Sequence, residues 1–114
     1  MAESDHHPSS GFIVIYRWQV EPAYQDNFRA TWREITIEGR ALGALGSCLT
    51  RDENGDFLAI ALWPSEQARS EAFARMAPRS DWIGARRIAE IRLQVEDDLW
   101  VGSPFAERIA RDTP

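Results

Sequence analysis

The sequence predicts an α+β fold in which two helices lie against an antiparallel sheet of four strands. Three observations support this class. The segment "GFIVIYRWQV" is apolar and rich in β-branched and aromatic residues, as strands are. Apolar residues between Tyr24 and Leu42 recur at steps of about four and seven, as in an amphipathic helix. The segment "GSCLTRDENGDFLAIALW" has the pattern of a hairpin with its turn at Asn54-Gly55.

The first helix is expected to start near Pro22, because proline suits the first turn of a helix. Gly39 and Gly43 are candidate ends, which gives about five turns. Its apolar stripe consists of Tyr24, Phe28, Trp32, Ile35 and Leu42.

The hairpin places one strand near Gly46 to Arg51 and the next from Phe57 to Trp63. Its turn, "DENGD", has the acidic residues of a calcium loop, but it is far too short and lacks the late glutamate of such loops. We therefore interpret it as a turn. Pro64 stops the second strand, and Ser65 is a candidate N-cap for a second helix.

The last third of the chain is expected to contribute one more strand. "SDWIGARRIA" is expected to hold a short helix capped by Ser80 or Asp81. "IAEIRLQVE" then alternates apolar and polar residues, as a half-buried strand does. In the C-terminal extension we expect the apolar side chains to be buried, the last two in a final short helix: Leu99, Trp100, Phe105 and Ile109.

The order β-α-β-β-α-β is that of the ferredoxin-like fold, in which the first and third strands are central. On the third strand, one face carries Phe57, Ala59, Ala61 and Trp63, and the other carries Leu58, Ile60 and Leu62. Both faces are apolar, but the chain's own helices can cover only one. We therefore expect a homodimer joined through the other face.

Length and composition limit what else the chain can be. Its 114 residues fit one domain, with residues 1–10 as a flexible polar tail and residues 11–114 as the folded part. No apolar stretch is long enough for a membrane helix, and none resembles a signal peptide. A single cysteine, Cys48, excludes an intramolecular disulfide. We therefore expect a cytoplasmic protein.

Charge and residue usage argue against several functions. A net charge of −5 disfavours a nucleic-acid partner or an anionic membrane. All 13 basic residues are arginine, so no lysine is present to form a Schiff base. Both histidines, His6 and His7, belong to the polar tail, which we expect to lie outside the folded part. We therefore expect neither a metal nor a cofactor.

Two segments resemble the antibiotic biosynthesis monooxygenase family. "YRWQVEPAYQDNFRATW" is a strand that passes into a long helix, and "FLAIALWPSEQARSEAF" is similar to the family's strand-Trp-x-Ser-x-x-Ala-helix segment. The likeness spans roughly residues 11 to 96. It implies a dimeric α/β barrel that oxidises a small aromatic substrate, phenolic or polycyclic, with O₂ and without a cofactor.

The same family includes a haem-degrading branch, which the chain resembles at Trp63. That branch has an asparagine where this chain has Tyr16 and a histidine where it has Phe73. Both departures remove polar groups, so the resemblance does not predict haem binding.

The resemblance places Trp63 against a cavity between the sheet and the helices. Tyr16 and Trp63 are the candidate catalytic residues, with Tyr16 as a hydrogen-bond partner of a phenol. Six residues are expected to contact the substrate: Val14, Phe28, Trp32, Ala59, Ala61 and Phe73. In this interpretation the two alanines leave space on the floor of the cavity and the aromatic residues form its walls. The alternative is that the alanines let a helix pack closely and the aromatic residues are core.

Two questions stay open at this point. Arg17, in the middle of the first strand, could anchor an anionic ligand or neutralise a carboxylate of a partner. Counting alternate residues puts its side chain on the face opposite to that of Trp63, which favours the second, structural role. No histidine or inward-pointing carboxylate is identified as a general base. The alternative function is therefore a non-catalytic dimeric barrel that binds a small hydrophobic ligand or serves as an association module.

Overall fold

The computed structural model describes residues 11–77, 79 and 82–102. Its strands are β1 (Phe12–Val20), β2 (Gly46–Arg51), β3 (Phe57–Trp63) and β4 (Ala85–Gln94). Helix α1 (Gln25–Ala41) follows β1 through a 3-10 turn at Pro22–Tyr24, and helix α2 (Glu66–Arg75) follows β3. The predicted β-α-β-β-α-β order is confirmed.

The four strands form one antiparallel sheet in the order β2-β3-β1-β4. The two most uniformly apolar strands, β1 and β3, are therefore central, as predicted, and the more polar β2 and β4 are the edges. No helix in the described part of the chain has the length and hydropathy needed to cross a membrane.

Local sequence signals set the helix ends. The Ser65 hydroxyl accepts a hydrogen bond from the backbone N–H of Ala68 at 3.0 Å, so Ser65 caps α2 as predicted. At the other helix, α1 ends at Ala41, and Gly43 then takes a φ of +115°. Glycine adopts this conformation at little cost, which lets the chain turn back towards β2.

The core lies on the helix-facing side of the sheet and consists of two clusters. The register pairs Phe12 with Trp63 and Trp18 with Phe57, so these side chains share one face. The first cluster contains Phe12, Val14, Trp63 and Ala72, and the second contains Trp18, Phe28 and Phe57. Tyr16 packs against both clusters.

The opposite, outer face of the sheet is also apolar. It carries Ile13, Ile15, Leu58, Ile60, Leu62, Ile91 and Leu93. The core contacts of the two helices are all with the other face, and Ile91 and Leu93 are 48% and 41% exposed. The apolar row of β4 therefore points outward, and its polar row faces the helices.

The turn between β2 and β3 confirms the predicted hairpin. Asp52 Oδ1 accepts hydrogen bonds from the backbone N–H groups of Asn54 and Asp56, at 2.9 and 3.0 Å. Arg17 Nη1 donates to the carboxylates of Asp52 and Asp56. Arg17 thus neutralises carboxylates of its own chain, and the suggested partner carboxylate is not needed. No group of three or more potential metal ligands occurs among the described residues.

The structure corrects two expectations about the C-terminal third. Ile83 and Gly84 form a turn and β4 already begins at Ala85, so the described part of "SDWIGARRIA" holds no helix. Leu99 and Trp100, expected to be buried, are 88% and 68% exposed, because the chain leaves the sheet after Gln94. Ser80, Asp81, Phe105, Ile109 and the predicted tail 1–10 lie outside the described residues.

Candidate functional site

A cavity of about 200 Å³ lies between the sheet and the helices. Two of its lining residues lie at the first core cluster: Trp63 is a member, and Ala61 packs against it. Two more lie at the second cluster: Trp18 is a member, and Trp82 packs against it. Trp32 of α1 lines it as well. The cavity therefore lies between the two clusters, where the core is not filled.

Six of the eight candidate residues line this cavity: Tyr16, Trp32, Ala59, Ala61, Trp63 and Phe73. Val14 and Phe28 are not among its described lining residues. They are 0% and 1% exposed and pack in the first and second core clusters. The structure thus brings six of the candidates together, and their role in binding or catalysis stays a prediction.

The two alanines of β3 form the floor of the cavity. In the register, Ala59 lies opposite Tyr16 and Ala61 lies opposite Val14. Since an alanine side chain ends at Cβ, the space above each is left open. Beside the floor, the rings of Trp63 and Phe73 meet edge to face, with centroids 5.8 Å apart. Small residues between bulky ones therefore produce the cavity.

Tyr16 is held by an arginine of α2. Its hydroxyl accepts a hydrogen bond from Arg69 Nη2 at 2.7 Å. Arg69 is only 7% exposed, and its guanidinium lies 4.4 Å from the centre of the Phe73 ring. Because arginine cannot accept a hydrogen bond, the phenolic proton of Tyr16 remains available for an oxygen of a ligand.

Two buried polar atoms near the cavity have no hydrogen-bond partner among the described residues. They are Nε1 of Trp63 and Nε of Arg69. Most buried donors in folded proteins are paired, since an unpaired one costs about 1 to 3 kcal/mol. Of the two residues, Trp63 lines the cavity and Arg69 lies behind it, bonded to Tyr16.

Strand β4 brings charges to the helix-facing side of the sheet. Glu90 lies opposite Tyr16, and Arg87 lies opposite Trp18. The two side chains share a face because the register shifts between Arg17 and Trp18, which leaves Ile88 as an extra residue in a β-bulge. Without the bulge, Arg87 would point to the outer face. In the structure it lines the cavity.

Glu90 is surrounded by guanidinium groups. Its oxygens lie 3.0 Å from Arg87 Nη1, 2.9 Å from Arg92 Nε and 3.7 Å from Arg69 Nη2. Burial acts to raise the pKa of Glu90, but the hydrogen bond from Arg92 and the charges of Arg69, Arg92 and Arg87 outweigh it and lower the pKa below its ordinary value. Glu90 is therefore ionised at neutral pH and engaged by arginines, which makes it a poor general base.

Sequence reasoning missed Arg69, Arg87 and Glu90 as neighbours of the candidate site. For Glu90 the signal is in the sequence, since the alternation that puts Ile91 on the outer face puts Glu90 on the inner one. Arg69 has no such signal, because an arginine on a short helix is usually exposed. Arg17 lies on the outer face, away from Trp63, as its parity predicts.

Comparison with solved structures finds matches that cover most of the chain. A variant of SnoaB, a cofactor-independent oxygenase from Streptomyces nogalater, matches with a TM-score of 0.62 at 15% identity, over 79% of this chain and 97% of that chain. A second SnoaB structure gives 0.58 at 14% identity, with coverage of 79% and 97%. Rv0793 from Mycobacterium tuberculosis gives 0.57 at 19% identity, with coverage of 80% and 100%.

The chain has the fold of these proteins. This result confirms the predicted α+β ferredoxin-like fold of the single chain, and at such identities it shows the fold alone. No protein-family model matches the sequence, and a search of curated proteins gives no match.

Proposed function

We propose that the protein is a cofactor-independent oxygenase of the antibiotic biosynthesis monooxygenase type, which oxidises a small aromatic phenol with O₂. The observation that carries the proposal is the cavity, since four tryptophans line it together with Tyr16 and Phe73. Such walls suit a flat aromatic ring. One protein of the same fold is itself a cofactor-independent oxygenase.

In the proposed reaction the substrate supplies the electrons. Its ring lies among the indole groups, and the Tyr16 hydroxyl donates a hydrogen bond to a phenolic oxygen. Loss of a proton gives a carbanion that reacts with O₂; one oxygen atom is added to the ring, and the other leaves as water with two hydrogens of the substrate. The protein contributes orientation and exclusion of water.

The proposed functional unit is a homodimer joined through the outer faces of two sheets. The apolar rows on that face support it, since single chains rarely expose such a surface to water. A cytoplasmic location is also part of the proposal, supported by the single cysteine, Cys48, which lies exposed on an edge strand.

A non-catalytic barrel that binds a small hydrophobic ligand is the second candidate. The observation that favours it is chemical: no aspartate, glutamate or histidine occurs among the described residues that line the cavity. Glu90, beside Tyr16, is engaged by arginines. A binding protein needs no general base, whereas the oxygenase needs either a base or a substrate that is already ionised.

Oxygen consumption separates the two candidates. We expect the protein to accelerate O₂ uptake by at least one member of a panel of dihydroxynaphthalenes and anthrone. Tyr16→Phe keeps the ring and removes the hydroxyl, and it should lower kcat/KM by about tenfold or more. Tyr24→Phe is the matched control, because Tyr24 is 38% exposed and does not line the cavity. Binding of the panel without any uptake would favour the second candidate.

A further inference from the structure

The arginines beside the cavity carry more positive charge than their carboxylate partners balance. Arg69, Arg87 and Arg92 converge on Glu90, and Arg92 also lies 3.8 Å from Glu66. This group therefore contains three guanidinium groups and two carboxylates. We call these five residues the arginine cluster. Its surplus charge lies next to Tyr16 and to the cavity.

Arg87 is the member of the cluster that reaches the cavity. It lines the cavity wall, and its guanidinium carbon lies 5.0 Å from the centre of the Tyr16 ring. Its Nη1 donates to Glu90, and its other N–H groups make no hydrogen bond to the described residues. The side chain is 46% exposed, so it lies where the cavity meets solvent. A guanidinium in this position can donate to a ligand oxygen without giving up Glu90.

Tyr16, whose ring lies next to Arg87, adds a second donor to the cavity wall. Because Arg69 Nη2 donates to its oxygen, the Tyr16 proton points away from Arg69 and is free to bond a ligand. Among the described residues, the cavity lining contains one cation, Arg87, together with neutral donors and aromatic rings, and no anionic side chain. Glu90, bonded to Arg87, would repel an oxygen anion here, but three guanidinium groups surround its carboxylate, so attraction outweighs this repulsion.

We propose that the cavity binds its ligand as an anion, with a carboxylate or phenolate oxygen between Tyr16 and Arg87 and a one- or two-ring aromatic body among the tryptophans. The size limit follows from the volume, about 200 Å³, which is below the range of about 300 to 1,000 Å³ common for small-molecule sites. This inference rests on the cavity being the site of the proposed function. It also supplies what that function lacks, since a substrate that enters already ionised needs no general base.

Isothermal titration calorimetry with stable anions tests the proposal without turnover. Naphthoate probes the carboxylate form. Hydroxynaphthoquinone with its hydroxyl on the quinone ring, a vinylogous carboxylic acid that is ionised at neutral pH, probes the phenolate form. Their neutral counterparts are naphthamide and unsubstituted naphthoquinone. We expect at least one anion to bind about tenfold or more tightly than its neutral counterpart, as a charge-assisted hydrogen bond provides. Comparable affinity for both members of each pair, or no binding of either anion, would overturn the proposal.

Two arginine variants locate the anion. Arg87→Gln should lower the affinity for the preferred anion by about tenfold and leave that for the neutral counterpart nearly unchanged. Arg86→Gln is the control, because Arg86 is the exposed neighbour that bonds Gln19 and does not line this cavity. An equal loss in both variants would mean general surface attraction and would refute the site. Oxygen uptake in the absence of anion binding would refute this inference and leave the oxygenase proposal in place.

Discussion

The Arg17 side chain ties the turn between β2 and β3 to the central strand β1. It donates to Asp52 and Asp56, and Asp52 at the same time accepts two backbone N–H groups of the turn. The hydrogen bond from Arg17 lowers the pKa of Asp52; burial opposes it, and the N–H groups of Asp56 and Asn54 assist it. A charge in the middle of a strand is thus explained by the turn that it stabilises.

This ion pair makes a testable contribution to acid stability. The pKa of Asp52 is lower in the folded than in the unfolded state, so the pair stabilises the fold above about pH 4 and loses this effect as the pH falls through the folded-state pKa. Asp52→Asn keeps an acceptor for the turn but removes the charge. In urea unfolding, we expect the wild type to exceed the variant in stability at pH 7 and the difference to shrink towards about pH 2.

Glu53→Gln, an exposed change in the same turn, is the control. Its difference from the wild type should stay small at every pH. If the Asp52→Asn difference were also independent of pH, the ion pair would not contribute in this way.

At the scale of elements, β3 carries large residues at the two ends of its inner face and small residues between them. Phe57 and Trp63 fill the two core clusters at its ends, while Ala59 and Ala61 between them leave the cavity. Protein interiors are closely packed as a rule. The gap beside Ala59 and Ala61 can therefore be filled either by a larger side chain or by a ligand, but not by both.

Filling the gap should separate these two effects. Ala61→Leu places extra carbon atoms in the cavity, so we expect ligand binding to fall by tenfold or more while the melting temperature is unchanged or higher. Ala72→Leu is the comparison: Ala72 is 1% exposed, packs in the first cluster and does not line the cavity, so overpacking should cost about 1 to 3 kcal/mol. Calorimetry and thermal unfolding measure both. Equal destabilisation by the two changes would mean that the space is not available.

For the whole molecule, apolar surface remains after the chain has folded. The outer sheet face carries seven isoleucine and leucine side chains, and the segment Leu99–Val101 is 68% to 88% exposed. Burying such surface gains roughly 25 cal/mol for each Å² removed from water. A second copy of the chain offers an equally apolar surface to pair with it.

A charge on the outer face should therefore dissociate the proposed dimer. We expect light scattering to report about twice the chain mass of 13.0 kDa for the wild type and a single chain for Ile60→Asp. Ile37→Asp is the control, because Ile37 is 58% exposed on α1, remote from that face. A wild type that is monomeric at working concentration would contradict the dimer.

The elements of the fold could be predicted because their signals are local. Ser65 and Pro64 mark the start of α2, Asn54-Gly55 marks the hairpin, and the apolar runs of β1 and β3 mark the centre of the sheet. The alternation of side chains along a strand also predicted that the floor residues, Ala59 and Ala61, lie on the same face of β3. The prediction that the chain itself buries Leu99 and Trp100 was wrong. An apolar side chain favours burial, but the sequence does not say whether its own chain or another one covers it.

The sequence alone determined the order of the elements, the central strands and the two apolar faces. Backbone geometry makes side chains alternate between the two faces of a strand and return to one face of a helix about every four residues, so these patterns can be recognised without the structure. Only the tertiary structure decided which residues meet at the cavity. Arg69 and Tyr16 are 53 positions apart, and Arg87 turns inward only through a bulge in β4. Such contacts depend on how distant elements pack and on one shift in register, and no local repeat encodes either.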